Sequence, residues 1–333
     1  MIIQLAIIEI TSLTKRYGDV TAVDDISLSI EEGEIFGFLG ANGAGKSTTM
    51  MILTTLLKPT GGTALVAGYD VVSQAKAVRE NIGYVQQDTA VDEFMSGRDN
   101  LAFTSRINRI PKDTAQKRID DILSLVELED RQNDQVVTYS GGMKKRLDIA
   151  NGLLHKPRVL LLDEPTVGLD IQTRRRIWEH LRYVREEYGI SIFVTTHYMD
   201  EADKLCDRVG IVDRGKIQSV GSPTEMKDAL GSQVISLVMD GDSSARIVPT
   251  LQSMSEIRDV RQETDHVIAY TYGGDRIVPS IFNKADSLGI RINSISITPT
   301  TLDDVFLSYT GYDLHDEGDA QKKPPTGRRR KMV

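Results

Sequence analysis

The sequence has little cysteine, no long apolar run and no excess of positive charge. Its one cysteine, Cys206, cannot form an intrachain disulfide, which excludes a disulfide-stapled fold and agrees with a reducing compartment. Cys206 also has no neighbouring histidines or further cysteines that would suggest a metal site. No run of about 18 apolar residues occurs, so the chain is not expected to span a bilayer by itself.

The chain has 40 lysines and arginines and 48 aspartates and glutamates, which give it a formal net charge of −8. Since no basic domain stands out, binding to nucleic acid is not expected. The apolar stretch 1–10 is interrupted by Gln4 and Glu9 and lacks both a basic start and a small-residue cleavage site, which indicates a strand rather than a signal peptide. These features together predict a cytosolic protein.

A regular alternation of short apolar strands and longer amphipathic runs occupies the first two thirds of the 333 residues. This alternation is typical of an α/β domain with a mainly parallel sheet covered by helices. A helix is predicted over 48–57, and buried strands are predicted at 35–39, 82–85, 159–162, 192–195 and 209–212. The segment of about 96–154 has apolar residues at helical spacing and almost no strand pattern, which predicts a helical insertion.

A second unit is predicted to begin after Gly231. Its apolar runs predict a strand-helix-strand-strand-helix-strand order, which is the ferredoxin-like α+β pattern. The predicted elements are 233–239, 244–254, 257–262, 266–272, 276–288 and 290–298. The expected domains are therefore 5–230 and 231–310, followed by a charged tail, 311–333, that will not fold alone. The basic residues within 322–331 suit either anionic lipid or plain solvation.

The clearest motif, Gly-Ala-Asn-Gly-Ala-Gly-Lys-Ser over residues 40–47, follows an apolar strand and opens a helix. In this context the motif predicts a loop whose backbone wraps phosphate groups, as in P-loop nucleotide hydrolases. Lys46 is expected to reach the terminal phosphates, and the Ser47 hydroxyl is expected to ligate Mg²⁺. The predicted nucleotide contacts in this segment are Gly40, Asn42, Gly43, Ala44, Gly45, Lys46, Ser47 and Thr48.

Two adjacent carboxylates, Asp163 and Glu164, follow the apolar residues 159–162. They are predicted to lie at the carboxyl edge of a buried parallel strand, where ligands bind in such sheets. Asp163 is suited to holding Mg²⁺, and Glu164 is suited to orienting or deprotonating an attacking water. The alternative is a strand that ends in two solvated acids, and it is disfavoured because the chain also has Lys46 in a phosphate-binding motif.

Three further side chains are candidate site residues, and each also has an alternative interpretation that gives it no role in the site. His197 ends a predicted strand, where it would contact either the γ-phosphate or a backbone carbonyl. Gln87 follows another strand and would sense Mg²⁺ and the attacking water, unless it is an ordinary exposed strand-end glutamine. Tyr17 offers an aromatic face on which adenine could stack, and a half-buried strand-end tyrosine is the open alternative.

A second anion site is predicted where Ser140, Gly141 and Gly142 open a helical run. Free N–H groups and the positive end of the helix dipole favour a phosphate there. The chain has one nucleotide loop, so this second site raises the question of whose phosphate it would bind.

In this order and spacing, these segments resemble the ATP-binding cassette of ABC transporters over about residues 5–230. The resemblance implies ATP and Mg²⁺ as ligands and a RecA-like P-loop fold with an amino-terminal antiparallel β subdomain and a helical subdomain. It also implies roles, with Tyr17 as the adenine-stacking aromatic, Gln87 as the Q-loop glutamine and Mg²⁺ ligand, residues 140–142 as the signature, Asp170 as the D-loop aspartate and His197 as the switch histidine.

Segments 91–98, 196–203 and 301–307 narrow the resemblance to the daunorubicin-resistance type of ATP-binding subunit. This type implies a separate ABC-2-type membrane permease as partner, with the chain on the cytoplasmic face of the membrane and export of a drug, lipid or other hydrophobic compound. In the family, the signature of one cassette closes over ATP held by the phosphate loop of another. That arrangement implies a second copy of the chain or a paralogous cassette.

A different class of function shares this cassette, namely the soluble ABC-type ATPases that act on ribosomes or DNA. Ribosome-acting members typically carry two cassettes, and DNA-repair members insert a long coiled coil before the signature. This chain has one cassette and an ordinary gap between Lys46 and Ser140. Transport is therefore the favoured hypothesis.

Overall fold

A computed structural model describes residues 6–240, 243–262 and 266–311, and the chain divides into two units, Met1–Val220 and Gly221–Val333. The first unit contains β1 (Ala6–Tyr17), β2 (Val20–Glu31), β3 (Ile35–Leu39), α1 (Lys46–Leu53), β4 (Gly61–Val66), β5 (Tyr69–Asp70), α2 (Ala75–Asn81), β6 (Ile82–Val85), α3 (Gly97–Ile107), α4 (Lys112–Leu125), α5 (Gly141–Leu153), β7 (Val159–Asp163), α6 (Ile171–Tyr188), β8 (Ser191–Thr196), α7 (Met199–Leu205), β9 (Arg208–Asp213) and β10 (Lys216–Gly221). The second contains α8 (Pro223–Leu230), β11 (Gln233–Met239), α9 (Ser243–Gln252), β12 (Ile257–Gln262), β13 (His266–Thr271), α10 (Gly274–Ser287), β14 (Ile292–Pro299) and α11 (Leu302–Thr310).

A six-stranded sheet in the order β10-β9-β3-β8-β7-β6 forms the centre of the first unit. Strands β3, β7 and β8 are buried along their whole length, as expected for parallel strands covered on both faces. The parallel register aligns Leu39 with Thr196 and Asp163 with Thr195. The carboxyl ends of these three strands therefore meet at one edge of the sheet, and the five strands predicted from the sequence are confirmed.

A second sheet, in the order β2-β1-β4-β5, pairs antiparallel throughout. Its inward side chains join Phe36 and Phe38 of β3 in one apolar core. The amino-terminal strand predicted over 1–10 is described from Ala6, and it continues to Tyr17. Residues 1–5 lie outside the described part of the chain.

The predicted insertion between strands is helical, consisting mainly of α3, α4 and α5. Each helix buries one apolar stripe, represented by Leu101, Ile119 and Leu147. Serine residues begin α3 and α5, because the hydroxyls of Ser96 and Ser140 accept bonds from the backbone N–H groups of the first turns.

The second unit has a four-stranded antiparallel sheet in the order β12-β13-β11-β14, with its helices and strands in the predicted sequence order. Apolar residues of α9 and α10 pack with β11 and β13 in one core that includes Leu237, Ile247 and Ile281. The boundary between the units follows Val220, whereas the sequence pattern puts it after 230. Helix α8 accounts for the difference, because the Asp228 carbonyl accepts a hydrogen bond from Tyr272 Oη at 2.5 Å.

Within the described ranges, no helix combines the length and the hydropathy needed to cross a membrane. The predicted charged tail lies outside the described residues from 312 onward.

Candidate functional site

The glycine loop connects β3 to α1, as its motif predicts. Gly45 has a φ of 103°, and a Cβ on it would lie 2.4 Å from the Ala22 carbonyl oxygen. A Cβ on Gly40 would lie 2.4 Å from the Val212 carbonyl oxygen. Both positions therefore require glycine, and the loop leaves the sheet in a tight curve that directs the first N–H groups of α1 outward.

Lys46 is buried, with 4 % of its surface exposed, at the start of α1. Its Nζ donates to the carbonyl oxygens of Gly40 at 2.8 Å and Ala41 at 3.0 Å. It also forms an ion pair with Glu164 Oε1 at 3.2 Å. A buried ammonium group needs such partners, and they hold the charge at the mouth of the loop.

Asp163, the last residue of β7, faces the first turn of α1. Its Oδ1 lies 3.5 Å from Ser47 Oγ and accepts a hydrogen bond from Thr195 Oγ1 at 2.5 Å. Two oxygen ligands of this kind fit Mg²⁺, which takes its remaining ligands from phosphates and water. Within the described ranges, no group of three or more histidine, cysteine, aspartate or glutamate side chains could hold a metal ion.

Glu164 bonds to His197, with 3.1 Å between Oε2 and Nδ1. Burial opposes ionisation of Glu164, but the hydrogen bond from His197 and the charge of Lys46 outweigh it and lower the pKa of Glu164 below its usual value. His197 itself is 26 % exposed. The Nδ1 of His197 therefore contacts the Glu164 carboxylate and not a backbone carbonyl, which was the alternative for this histidine. Glu164 and His197 together present an ionised carboxylate beside an imidazole that a ligand can reach.

Gln87 and Tyr17 lie outside this bonded group. Gln87 is exposed just beyond β6, and its described contact is through its backbone carbonyl. Tyr17 ends β1 with 47 % of its surface exposed, and the Lys15 ammonium lies 5.2 Å from its ring centroid. Both side chains are accessible to a ligand, and their predicted roles stay predictions.

Residues 140–142 stand beside the start of α6. Ser140 caps α5 by accepting from the Met143 N–H at 3.3 Å, and it is exposed. A Cβ on Gly142 would lie 2.3 Å from Thr173 Cγ2, so only glycine allows the two helix starts to approach this closely. Asp170 caps α6, accepting from Thr173 N at 3.0 Å and from Thr173 Oγ1 at 2.6 Å. The hydrogen bonds from Thr173 lower the pKa of Asp170.

A buried ion pair that sequence patterns did not indicate fastens α5 to the segment after β6. Lys145 Nζ donates to the carbonyls of Gln86 at 2.8 Å and Gln87 at 3.1 Å, and it lies 3.6 Å from Asp148 Oδ2. Lys145 stands in a run of three cationic residues, a pattern that is typical of a solvent-exposed helix surface. The available signal was its spacing of three residues from Asp148, in a helix that also buries Leu147 and Ile149.

The Lys145–Asp148 pair is expected to make the free energy of unfolding pH-dependent. Burial raises the pKa of Asp148 to about 6, although Lys145 opposes this. Between about pH 4 and pH 6 the folded chain keeps a proton that the unfolded chain releases, so stability falls as pH rises through this window, by up to about 3 kcal/mol. Asp148→Asn removes the titrating group.

Thermal unfolding of the parent chain and of Asp148→Asn across pH 4 to 7 measures this effect. The Tm of the parent should fall relative to the variant up to about pH 6 and then run parallel to it. Asp19→Asn, at an exposed turn, is the matched control. A Tm difference between the parent and Asp148→Asn that stays constant over the whole range would contradict the assignment.

A glycine loop between a buried parallel strand and a helix, with an acidic pair at the end of another parallel strand of the same sheet, defines a P-loop nucleotide hydrolase. The family model described as ABC transporter matches residues 23–167. The chain is also 36% identical over 310 residues to the daunorubicin/doxorubicin resistance ATP-binding protein of Streptomyces peucetius, covering 93% of this chain and 94% of that one. It therefore belongs to the ATP-binding cassettes of ABC transporters, and it is an ATP-binding ATPase.

Other relatives are likewise ATP-binding proteins or part of an ABC transporter complex. The linearmycin resistance ATP-binding protein of Bacillus subtilis is 35% identical over 92% of this chain and 98% of its own length. The Nod factor export ATP-binding protein I of Ralstonia nicotianae is 34% identical over 93% of this chain and 95% of its own length. Among solved structures, cbiO1 of Clostridium perfringens, part of an ABC transporter complex, is 32% identical with a TM-score of 0.63 over 66% of this chain and 90% of its own.

A second solved relative is a dimeric ATP-binding cassette in a post-hydrolysis state, bound to ADP and Pi. It is 26% identical to this chain with a TM-score of 0.58, covering 65% of this chain and 98% of its own length. Resistance to daunorubicin, doxorubicin or linearmycin, Nod factor export and the dimeric state are properties of those proteins.

Proposed function

We propose that this chain is the ATP-hydrolysing subunit of an exporter, in which two cassettes close head to tail around two Mg-ATP and drive a separate ABC-2-type permease. One observation carries the proposal, namely that Ser140 and Gly141 at the start of α5 are exposed while Gly142 packs against Thr173 of α6, whereas Lys46 and Glu164 pair with each other at the glycine loop. A phosphate bound there needs the loop of another cassette to supply Lys46.

Within one cassette, the residues divide the work on ATP. The loop N–H groups and Lys46 hold the phosphates, with Gly40, Asn42, Gly43, Ala44, Gly45 and Thr48 forming the loop and its exit. Ser47, Asp163 and Gln87 are the proposed ligands of Mg²⁺, which when bound neutralises phosphate charge. Tyr17 stacks on adenine.

Glu164 accepts the proton of the attacking water, a role that suits a carboxylate kept ionised by Lys46 and His197. His197 and Gln87 contact the γ-phosphate side of the same site. Asp170, which bonds to Thr173 next to Gly142, belongs to the face that meets the other cassette. That cassette is a second copy of this chain or a paralogue.

The proposed permease contact consists of three exposed apolar side chains in the segment that follows Gln87, namely Phe94, Phe103 and Ile107. These side chains are 84%, 54% and 64% exposed. Phe94 and Phe103 line a groove of about 380 Å³ whose other lining residues are Met95, Ala102 and the polar residues Ser96, Asp99, Arg106, Asn133 and Gln135. Exposed aromatic and aliphatic groups gathered in this way are typical of protein-protein contacts and suit an amphipathic helix of the permease.

Phe94→Asp is expected to abolish capture of the permease while ATP binding stays at the level of the parent chain. The reason is that a carboxylate would have to be desolvated in an apolar contact. Co-purification of the tagged cassette with its co-expressed permease measures capture. Tyr183→Asp, at an exposed aromatic of α6, is the control and should retain the permease. Normal capture by Phe94→Asp would contradict the assigned surface.

Export of a drug, lipid or other hydrophobic compound is proposed because relatives of similar length are named for daunorubicin resistance, linearmycin resistance and Nod factor export. The permease would form the path through the membrane and hold this chain on the cytoplasmic face. Inside-out vesicles that contain both subunits test the proposal, with ATP-dependent uptake of daunorubicin as the measurement. Uptake that is unchanged by Lys46→Ala would count against it.

For the second unit, residues 231–310, we propose a ferredoxin-like α+β domain attached to a cassette of residues 5–230 whose helical subdomain is about 96–154. The strand order β12-β13-β11-β14 and the two helices that pack with β11 and β13 support this proposal.

A further inference from the structure

Thr195 lies directly opposite Asp163 in the pairing of β7 with β8, and it is fully buried. Its hydroxyl donates to Asp163 Oδ1 at 2.5 Å and accepts from the Glu164 N–H at 3.0 Å. The Thr195 backbone carbonyl accepts from the same N–H at 3.1 Å. One residue of β8 thus contacts both members of the acidic pair on β7.

Glu164 needs such an anchor because its backbone is strained. Its φ is 46°, in the left-handed region that non-glycine residues avoid at a cost of about 1–2 kcal/mol. This turn of the backbone is what places the Glu164 carboxylate between Lys46 and His197 instead of continuing the strand. The two hydrogen bonds from its N–H to Thr195 hold the turn.

Asp163 needs an orienting partner for a different reason. Its Oδ1 lies 3.5 Å from Ser47 Oγ, at the limit of a hydrogen bond, so Ser47 alone holds the carboxylate plane weakly. Thr195 donates a second hydrogen bond to the same oxygen, from a side chain that is fully buried. Outer hydrogen bonds of this kind orient metal ligands.

We propose that Thr195 is a positioning residue that aligns both Asp163 and Glu164 through its one hydroxyl. The inference rests on the proposed roles of those two carboxylates in Mg²⁺ binding and water activation. A purely apolar residue such as valine would fill the same strand position without the burial cost of a hydroxyl. The hydroxyl is therefore retained for its two hydrogen bonds.

Thr195→Val keeps the branched shape and removes the hydroxyl, and Thr195→Ser keeps the hydroxyl and removes the methyl. Thr195→Val is expected to lower kcat and to raise the Mg²⁺ concentration that half-saturates its effect on ATP affinity, each by about 10- to 100-fold. Thr195→Ser should stay close to the parent in both. Thr54→Val, at a buried threonine whose hydroxyl bonds only to carbonyls of α1, controls for general loss of a buried hydroxyl.

Equilibrium ATP binding across a Mg²⁺ titration, at a temperature where turnover is negligible, gives the readout that is independent of activity. Parent-like Mg²⁺ dependence and kcat in Thr195→Val would overturn the proposal, as would equal losses in Thr195→Val and Thr195→Ser. If Thr195→Val does not fold, Thr195→Ala replaces it as the variant without the hydroxyl, and its kcat and Mg²⁺ dependence are compared with those of Thr195→Ser. A failure of the transport proposal leaves this titration unaffected, since it requires neither permease nor export.

Discussion

Replacing Glu164 with glutamine is expected to lower ATP turnover by about 10²- to 10⁴-fold while ATP binding is retained. The amide keeps the shape of the side chain and its place beside His197 and Lys46, which lie 3.1 Å and 3.2 Å from the carboxylate oxygens. It cannot accept a proton from water at neutral pH. ATP should then persist between two cassettes, and a nucleotide-bound dimer should accumulate.

Phosphate release and size-exclusion chromatography with Mg-ATP measure the two effects of Glu164→Gln. Glu34→Gln is the matched control, because Glu34 is equally buried but precedes β3, at the opposite edge of the sheet from Lys46. It should keep the turnover of the parent chain. Near-normal ATPase activity in Glu164→Gln would remove Glu164 from its proposed role.

Ser140→Arg is expected to abolish hydrolysis and to leave ATP binding intact. The change removes the hydroxyl that caps α5 and puts a long cation over the N–H groups that would receive the γ-phosphate. Lys46 and the glycine loop are untouched, so each chain still binds its own nucleotide. Ser222→Arg, which removes the cap of α8, is the control for cap loss alone and should keep activity.

Mixing Ser140→Arg with Lys46→Ala tests whether the site is shared between chains. A mixed dimer has one composite site with an intact loop and an intact helix start. If the sites act independently, an equal mixture should regain about a quarter of the parent activity, since half the dimers are mixed and each has one working site of two. The shared-site proposal fails if Ser140→Arg alone hydrolyses ATP at the parent rate.

Much of the site was predictable because its signals are local. The glycine loop is a contiguous motif between a strand and a helix, and the structure places it there. Asp163 and Glu164 end a run of buried apolar residues, so parallel pairing had to bring them to the edge where the loop begins. The predicted pairing of His197 with this edge follows from the same rule.

Other contacts could not be predicted, because they depend on which residues face each other across elements distant in the chain. Lys145 stands in a run of three cations with no local pattern that indicates burial, and the fold buries it on the carbonyls of Gln86 and Gln87. Thr195 lies within the predicted strand 192–195, where no sequence pattern sets it apart. Its two bonds to the acidic pair exist only because β8 pairs with β7 in one register.

The sequence by itself determined the class of this protein, the strands and helices of the cassette and the residue types available for ATP, because each is specified by periodicity or by a motif a few residues long. Only the tertiary structure decided which partners orient them. In the tertiary structure, the backbone of Glu164 departs from the strand conformation, and Thr195 bonds to both Asp163 and Glu164. Gly142 packs against Thr173. The physical reason is that these contacts come from strand register and helix packing, which join residues about 30 positions apart and leave no local pattern.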